Sequence, residues 1–343
     1  MKILNEILRW LQQIASSVRY SAPEPTQNMH QQPAADKQRI ARGVRRFFDK
    51  NYELRYNVIK QTEEFRPKNR QKDGNPAYSA SNTTYVPDNE SYQPGNSVDS
   101  PQGHGGWLQL TDRELRRIAF EQMLEVGVAW SIDIELYVRS SLTPEYNPVD
   151  DFLQQCGVWD GVTDYIRDCA RRVPTDFERW PDFFHRWFLA MVAQWQQLSR
   201  DYGNAIVPLL IGGQGTHKST FCKLLLPPHL REYYIDDIKL DNAEQVERML
   251  SRMLLVCIDE YNAKSEREQA KIKRVLTERD VQTRKMRSDQ YVLLPRMASF
   301  IATTNDATPL TDPTGSRRYL CCEVTGIIDT DRPMPYSKMY AQA

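Results

Sequence analysis

An α/β protein with a mostly parallel sheet, preceded by a helical segment, is predicted by three observations. Four apolar runs, Ala205–Ile211, Met253–Ile258, Ser299–Thr303 and Tyr319–Val324, alternate with helical patterns, as strands do when helices cross between them. The first run leads into Ile211-Gly212-Gly213-Gln214-Gly215-Thr216-His217-Lys218-Ser219-Thr220, and a helical pattern follows as far as Pro227-Pro228. Upstream, between Leu110 and Leu198, apolar residues recur at helical spacing instead.

Bulk properties narrow the class. A chain of 343 residues suffices for two or three domains with buried cores. Lys+Arg and Asp+Glu both number 45, so no global field draws the chain to nucleic acid, and any such site has to be a local basic patch. The six cysteines (Cys156, Cys169, Cys222, Cys257, Cys321, Cys322) form no C-x-x-C pair and have no histidine at ligand spacing. That pattern points to a reducing compartment with buried thiols, not to a disulfide framework or a zinc site. No apolar run reaches the roughly 20 residues that span a bilayer. Asn5, Glu6 and Arg9 interrupt the stretch where a secretory signal would be apolar. The expected location is cytoplasmic, with no membrane partner.

Taken in order, residues 1–20 place Ile3, Leu4, Ile7, Leu8, Leu11, Ile14, Ala15 and Val18 on one helical stripe, read as a docking or self-association helix. A membrane-surface helix is the alternative, and Arg9 and Arg19 make a poor basic face for it. Residues 21–37 are polar and proline-containing, a linker. Within 38–65, a helix from about Asp36 to Lys50 carries Arg42, Arg45 and Arg46 on a face read as solvated, and Tyr52–Ile59 alternates like a strand. Residues 66–106 are rich in Asn, Ser, Pro, Gly, Tyr and Gln with almost no aliphatic pattern, and read as a long disordered loop. Residues 107–200 form the helical part. Thr111 with Glu114 makes a capping box, Gly127 ends that helix, and Ile132–Ser140 is a second one. Further helices are expected at 149–155, 161–172 and Phe177–Leu198. The last of these carries Trp180, Phe183, Phe184, Trp187, Phe188, Met191, Val192 and Trp195, a stripe that suits a core better than a base-stacking platform, with His185 as a structural histidine. Residues 201–343 form the sheet-containing part.

The chemistry lies in four motifs. Strand, glycine-rich turn, Lys-Ser and helix is the layout of a phosphate-binding loop, in which Gly212, Gly213, Gln214, Gly215, Thr216, His217, Lys218, Ser219 and Thr220 surround the phosphates. Lys218 would neutralise phosphate charge and Ser219 would ligate Mg²⁺. His217 stands where G-x-x-x-x-G-K-[ST] has its second fixed glycine; histidine tolerates positive φ better than most residues, so the loop can still close. About forty residues on, Leu254-Leu255-Val256-Cys257-Ile258 ends in Asp259 and Glu260, read as the Mg²⁺ partner and the residue that polarises the attacking water. Phe300-Ile301-Ala302-Thr303-Thr304 ends in Asn305, placed either to touch the γ-phosphate or simply to begin a turn. Arg317 and Arg318, at the mouth of the last strand, are either surface ion-pair partners or a finger that reaches a neighbour's γ-phosphate. Between the acids and Asn305, the segment Lys271–Arg296 is basic, and Asp280–Leu294 has the form of a hairpin. It is read either as a solvated helix followed by a hairpin, or as a strand-tracking element in which Lys271, Lys273, Arg284, Lys285 and Arg287 meet DNA phosphates.

In this order the motifs resemble the virulence-associated E family of P-loop ATPases, relatives of superfamily-three helicases and poxvirus-type primase-helicases that prophages and other mobile elements often encode. The resemblance rests on Gly213-Gln214-Gly215-Thr216 with Lys218-Ser219-Thr220-Phe221, Leu224-Leu225-Leu226-Pro227-Pro228, Ile258-Asp259-Glu260, Ala298 to Asn305, and Asp312-Pro313-Thr314-Gly315-Ser316-Arg317-Arg318. Upstream it includes Pro144-Glu145-Tyr146-Asn147-Pro148, Val158-Trp159-Asp160-Gly161 and Phe184-His185-Arg186-Trp187, so it covers about residue 105 to the C-terminus. It implies an AAA+-like P-loop domain that uses ATP and Mg²⁺, acts on single-stranded DNA or a replication fork, and assembles as a homo-oligomeric ring, a hexamer. Nothing upstream resembles a primase catalytic domain, so any primase is a separate chain. Relatives continue into further helices where this chain stops at Tyr340-Ala341-Gln342-Ala343, so a truncated product is expected.

The resulting expectation is an ATP-dependent DNA helicase or translocase for replication of a phage or mobile element. Its rivals are a non-translocating ATP switch for origin recognition or loading, a small-molecule kinase, and a P-loop fold that has lost turnover.

Overall fold

The computed structural model describes residues 34–68, 106–127, 131–198, 203–236, 243–261, 272, 274–277, 280–284, 291–310 and 316–343. The amphipathic stretch 1–20, most of the 21–37 linker and nearly all of the 66–106 loop lie outside the described residues. Two compact units divide the chain: Met1–Glu53 with Pro67–Arg70 and Thr111–Leu142, and Leu54–Arg66 with Gln71–Leu110 and Thr143–Ala343.

Among its described residues the first unit contains three helices, α1 (Ala34–Asn51), α2 (Asp112–Val126) and α3 (Ser131–Val138). Ile40, Val44, Phe47 and Phe48 follow helical spacing along α1 and are buried with Leu115 and Ile118 of α2 and Ile134 and Val138 of α3. Phe48 lies 5.3 Å, centroid to centroid, from Tyr137. Thr111 caps α2 by accepting from the Glu114 N–H at 3.3 Å. The reciprocal half of the expected capping box does not form, because the Glu114 carboxylate bonds Arg117 Nε at 2.7 Å instead. Gly127, at φ 79, closes α2 by donating to Met123 O at 3.0 Å. Arg42, Arg45 and Arg46 are exposed, as a solvated helix face requires.

Among its described residues the second unit holds two sheets, a two-stranded ribbon and the remaining helices. β1 (Tyr52–Asn57), β2 (Thr62–Pro67), β3 (Leu108–Gln109) and β4 (Glu145–Tyr146) form a small sheet in the order β3-β2-β1-β4. Three helices follow: α4 (Pro148–Gln155), α5 (Tyr165–Ala170) and α6 (Trp180–Trp195). α5 is shorter than the 161–172 periodicity suggests because Asp160 turns the chain before it, accepting from Val162 N and Thr163 N, both at 2.9 Å. Trp180, Phe184, Trp187, Phe188, Met191, Val192 and Trp195 of α6 are all buried, so the aromatic stripe is core. Trp195 Nε1 also donates to Leu254 O at 3.0 Å.

The larger sheet consists of β5 (Val207–Ile211), β6 (Tyr234–Ile235), β7 (Leu255–Ile258), β10 (Ser299–Thr304) and β11 (Tyr319–Glu323), in the order β11-β5-β10-β7-β6. Every neighbouring pair is parallel. The two-residue edge strand β6 is too short to carry a periodic signal. α7 (Lys218–Leu224) follows β5 and α8 (Ala243–Arg252) precedes β7, while β8 (Asp280–Arg284) and β9 (Tyr291–Pro295) pair antiparallel as a separate ribbon. Leu210, Cys257, Ile301 and Cys322 pack with the α6 aromatics on one face; Leu209, Val256, Phe300 and Ala302 pack on the other. Burial of both faces explains why these strands read as continuous apolar runs. The C-terminal helix α9 (Tyr336–Gln342) is part of the first of these cores: the Tyr340 ring stacks 5.7 Å from Trp195 and its hydroxyl donates to Leu225 O at 2.9 Å. All six thiols are free; Cys169, Cys222, Cys257 and Cys322 are buried, Cys156 is half-buried, and Cys321 is exposed because β11 is an edge strand. Among the described residues no helix is long and apolar enough to cross a membrane.

Candidate active site

Parallel register brings three strand ends together. Ile211 of β5 pairs with Thr304 of β10, and Ile258 of β7 pairs with Ala302 of β10, so the residues that follow each strand meet at one edge of the sheet. Such a carboxyl edge is where open parallel sheets bind ligands. A cavity of about 270 Å³ opens there, lined by Gln214 to Thr220, Asp259, Glu260, Thr303, Thr304 and Asn305.

Backbone geometry explains the loop's composition. Gly212 lies against the end of β11: a Cβ there would fall 3.0 Å from Val324 O and 3.1 Å from Val324 Cβ, close enough that Val324 would have to shift by a few tenths of an ångström. Gly215 has φ 80. His217 has φ 64 and ψ 23, the left-handed conformation expected at this position, and its Nδ1 lies 3.2 Å from Thr330 Oγ1. Nothing in local sequence signals that contact, since its partners are 113 residues apart.

Lys218 is nearly buried and its ammonium group bonds Gly212 O at 2.9 Å, Gly213 O at 2.7 Å, Thr216 Oγ1 at 3.1 Å and Asn305 Oδ1 at 3.1 Å. Burial lowers its pKa from the ordinary lysine value, and the Asp259 charge opposes that shift. Asp259 Oδ1 accepts from Ser219 Oγ at 2.8 Å, from Glu260 N at 3.2 Å and from the Thr303 hydroxyl. Glu260 follows with φ 51, a left-handed non-glycine residue exposed at the cavity rim. The next residue re-enters the sheet edge, Tyr261 N donating to Thr303 O at 2.7 Å. Thr303 is the residue that sequence reading passed over. The available signal was a polar residue inside the apolar run of β10, one position from its end.

Other predicted residues lie elsewhere. Arg317 and Arg318 precede β11, whose first residue Tyr319 pairs with Val207, the first residue of β5. They therefore sit at the amino end of the sheet, roughly 13 Å of strand from the glycine-rich loop at ~3.3 Å per residue. Lys271, Lys273, Lys285 and Arg287 lie outside the described residues; Arg284 ends β8, its backbone paired with Tyr291. Arg296, counted with the basic segment, is fully buried: its guanidinium bonds Ala298 O at 2.7 Å, Leu276 O at 2.8 Å, Asn204 O at 2.9 Å and Val275 O at 3.4 Å. It ties the foot of the β8–β9 ribbon to its surroundings and presents no charge to a partner.

Residues 153–343 match the model of the virulence-associated protein E-like domain. The chain belongs to that family. The matched region contains the whole large sheet, the cavity and every residue that lines it. No curated protein matches this E-like chain. Among solved structures it is similar to the apo structure of the NrS-1 C terminal region (305-718), at 14% identity over 88% of this chain and 67% of that one, with a TM-score of 0.47. An A form apo structure of the same region gives a TM-score of 0.48 at 14% identity, covering 87% of this chain and 68% of that one.

Proposed function

We propose that this E-like chain is an ATP- and Mg²⁺-dependent helicase or translocase acting on DNA in the replication of a mobile element. The observation that carries the reading is the convergence of Lys218, Ser219, Asp259, Glu260 and Asn305 on one cavity beside a glycine-rich loop. Lys218 exchanges its neutral carbonyl and hydroxyl partners for phosphate oxygens, a stronger, charge-assisted contact that also favours its protonated form. The Ser219 hydroxyl and the Asp259 carboxylate, 2.8 Å apart, are hard oxygen donors of the kind Mg²⁺ accepts. When bound there, the cation would supply charge stabilisation on the β- and γ-phosphate oxygens. Thr303 and the Glu260 N–H hold Asp259 in place for that role. Glu260, at the rim, takes a proton from the attacking water, and Asn305 orients that water or a γ-phosphate oxygen.

Arg317 and Arg318 point the reading towards an assembly. Their place at the amino end of β11 takes them away from their own cavity, so a transition-state role falls to the cavity of a neighbouring copy in a homo-oligomeric ring. The β8–β9 ribbon carries the DNA contacts, with Arg284, Lys285 and Arg287 at or beyond its β8 end and Lys271 and Lys273 ahead of it.

ATP hydrolysis with and without single-stranded DNA tests the proposal, beside Lys218→Ala and Glu260→Gln. The expected result is DNA-stimulated turnover that both variants lose, with ATP binding retained in Glu260→Gln. Unchanged hydrolysis in Lys218→Ala refutes the assignment. Binding without turnover in the unaltered chain transfers the reading to a non-translocating switch, and DNA-independent phosphate transfer to a metabolite transfers it to a kinase.

A further inference from the structure

The first unit leaves an apolar surface that its own fold does not consume. On α2, Phe120 and Leu124 are 57% and 71% exposed; on α3, Ile132 and Leu136 are 70% and 74% exposed. Each pair is spaced i, i+4, so each helix shows one apolar ridge, and the two helices pack against each other. Met123 extends the α2 ridge. Single exposed leucines are ordinary, but five large apolar side chains on two adjacent short helices mark a surface that something covers.

We infer that this face is the dock for the chain's own residues 3–18. Those residues, outside the described ones, place Ile3, Leu4, Ile7, Leu8, Leu11, Ile14, Ala15 and Val18 on one helical stripe, the spacing with which a helix lies in an apolar groove. The tether is long enough. Fifteen residues separate Val18 from Ala34, the first residue of α1, and extend to roughly 50 Å. The ridge lies well within that reach. Gly43 of α1 sits beside Val126 of α2, a Cβ there being 3.4 Å from Val126 Cγ1. At ~1.5 Å per residue along each helix, the start of α1 is therefore within roughly 30 Å of Phe120. A tether of this length holds the segment at an effective concentration on the order of millimolar, enough for a modest apolar contact to persist.

Hydrogen exchange on the full chain tests the inference, comparing the unaltered protein with Leu124→Asp/Leu136→Asp. Both positions are exposed, so the fold should survive, as far-UV circular dichroism would verify. Docking predicts that amides of residues 3–18 exchange about tenfold faster in the double variant; equal rates in the two proteins overturn the proposal. In a second measurement, benzoylphenylalanine at position 124 is photo-crosslinked in a mixture of isotopically heavy and light chains. Crosslinks to residues 3–18 within one chain support docking. Heavy–light crosslinks assign the face to a second copy, crosslinks to neither overturn the pairing, and flotation with phosphatidylserine vesicles that depends on residues 3–18 makes the segment a membrane helix.

Discussion

Replacing Thr303 by valine tests whether the cavity is a metal–nucleotide site. Thr303 is 2% exposed, and its hydroxyl is one of three donors that converge on Asp259 Oδ1, with Ser219 Oγ and Glu260 N. Valine keeps the branched shape and β10 packing while turning a methyl group towards the carboxylate. Losing one hydrogen bond to a charged acceptor costs about 1.5–3 kcal/mol. Loss of an outer-shell partner of a metal ligand typically weakens metal affinity about 10–100-fold, or roughly 1.4–2.7 kcal/mol in binding. Isothermal calorimetry with ATP, run once with Mg²⁺ and once with EDTA, separates the two effects. The expected outcome is a drop of that size with Mg²⁺, little change in EDTA, and recovery in Thr303→Ser. Equal affinity of Thr303→Val and the unaltered chain in Mg²⁺ would refute the reasoning, because Asp259 would then not depend on Thr303 for its placement or would not meet the cation.

Three further outcomes are expected. Arg296→Met leaves the Asn204, Leu276 and Ala298 carbonyls without the guanidinium and should destabilise the protein by about 3 kcal/mol, read from the urea midpoint. Tyr340→Phe orphans Leu225 O and should cost about 1–2 kcal/mol, and Tyr340→Ala about 3–5 kcal/mol. Because burial raises the Tyr340 pKa, its contribution is complete below the unfolded value and is lost as pH rises towards the folded one; the alkaline decline in stability should therefore be shallower in Tyr340→Phe. His217→Ala keeps a left-handed non-glycine residue and loses the Thr330 contact, whereas His217→Gly loses the same contact but relieves strain of about 1 kcal/mol, so thermal unfolding should rank the glycine variant above the alanine one.

Several elements were legible from composition and period because their determinants are local. The four principal strands of the large sheet are continuous apolar runs since both faces are covered, and the α6 stripe repeats at helical spacing since one helix face meets the core. His217 was readable as a left-handed residue because that conformation is set by the loop's own geometry. That Lys218, Ser219, Asp259, Glu260 and Asn305 are candidates to line one cavity was legible because each directly follows, or lies just beyond, a strand-like run.

What local pattern does not contain is partnership across the chain. Only the parallel register places Asp259 and Asn305 at the loop's level, and the same register removes Arg317 and Arg318 to the opposite end of the sheet. Basic character counted Arg296 with the Lys271–Arg296 segment, yet a ring of carbonyls from four separate positions buries it. Thr303 and Thr330 gained their roles from neighbours 44 and 113 residues away. Sequence by itself determined which segments become strands and helices and which residue types stand at strand ends, because those follow from side-chain period and backbone conformation. Tertiary structure alone decided which of those residues meet, because hydrogen bonds to Asp259 and Lys218 depend on strand order and register, and neither leaves a trace in the spacing of any one segment.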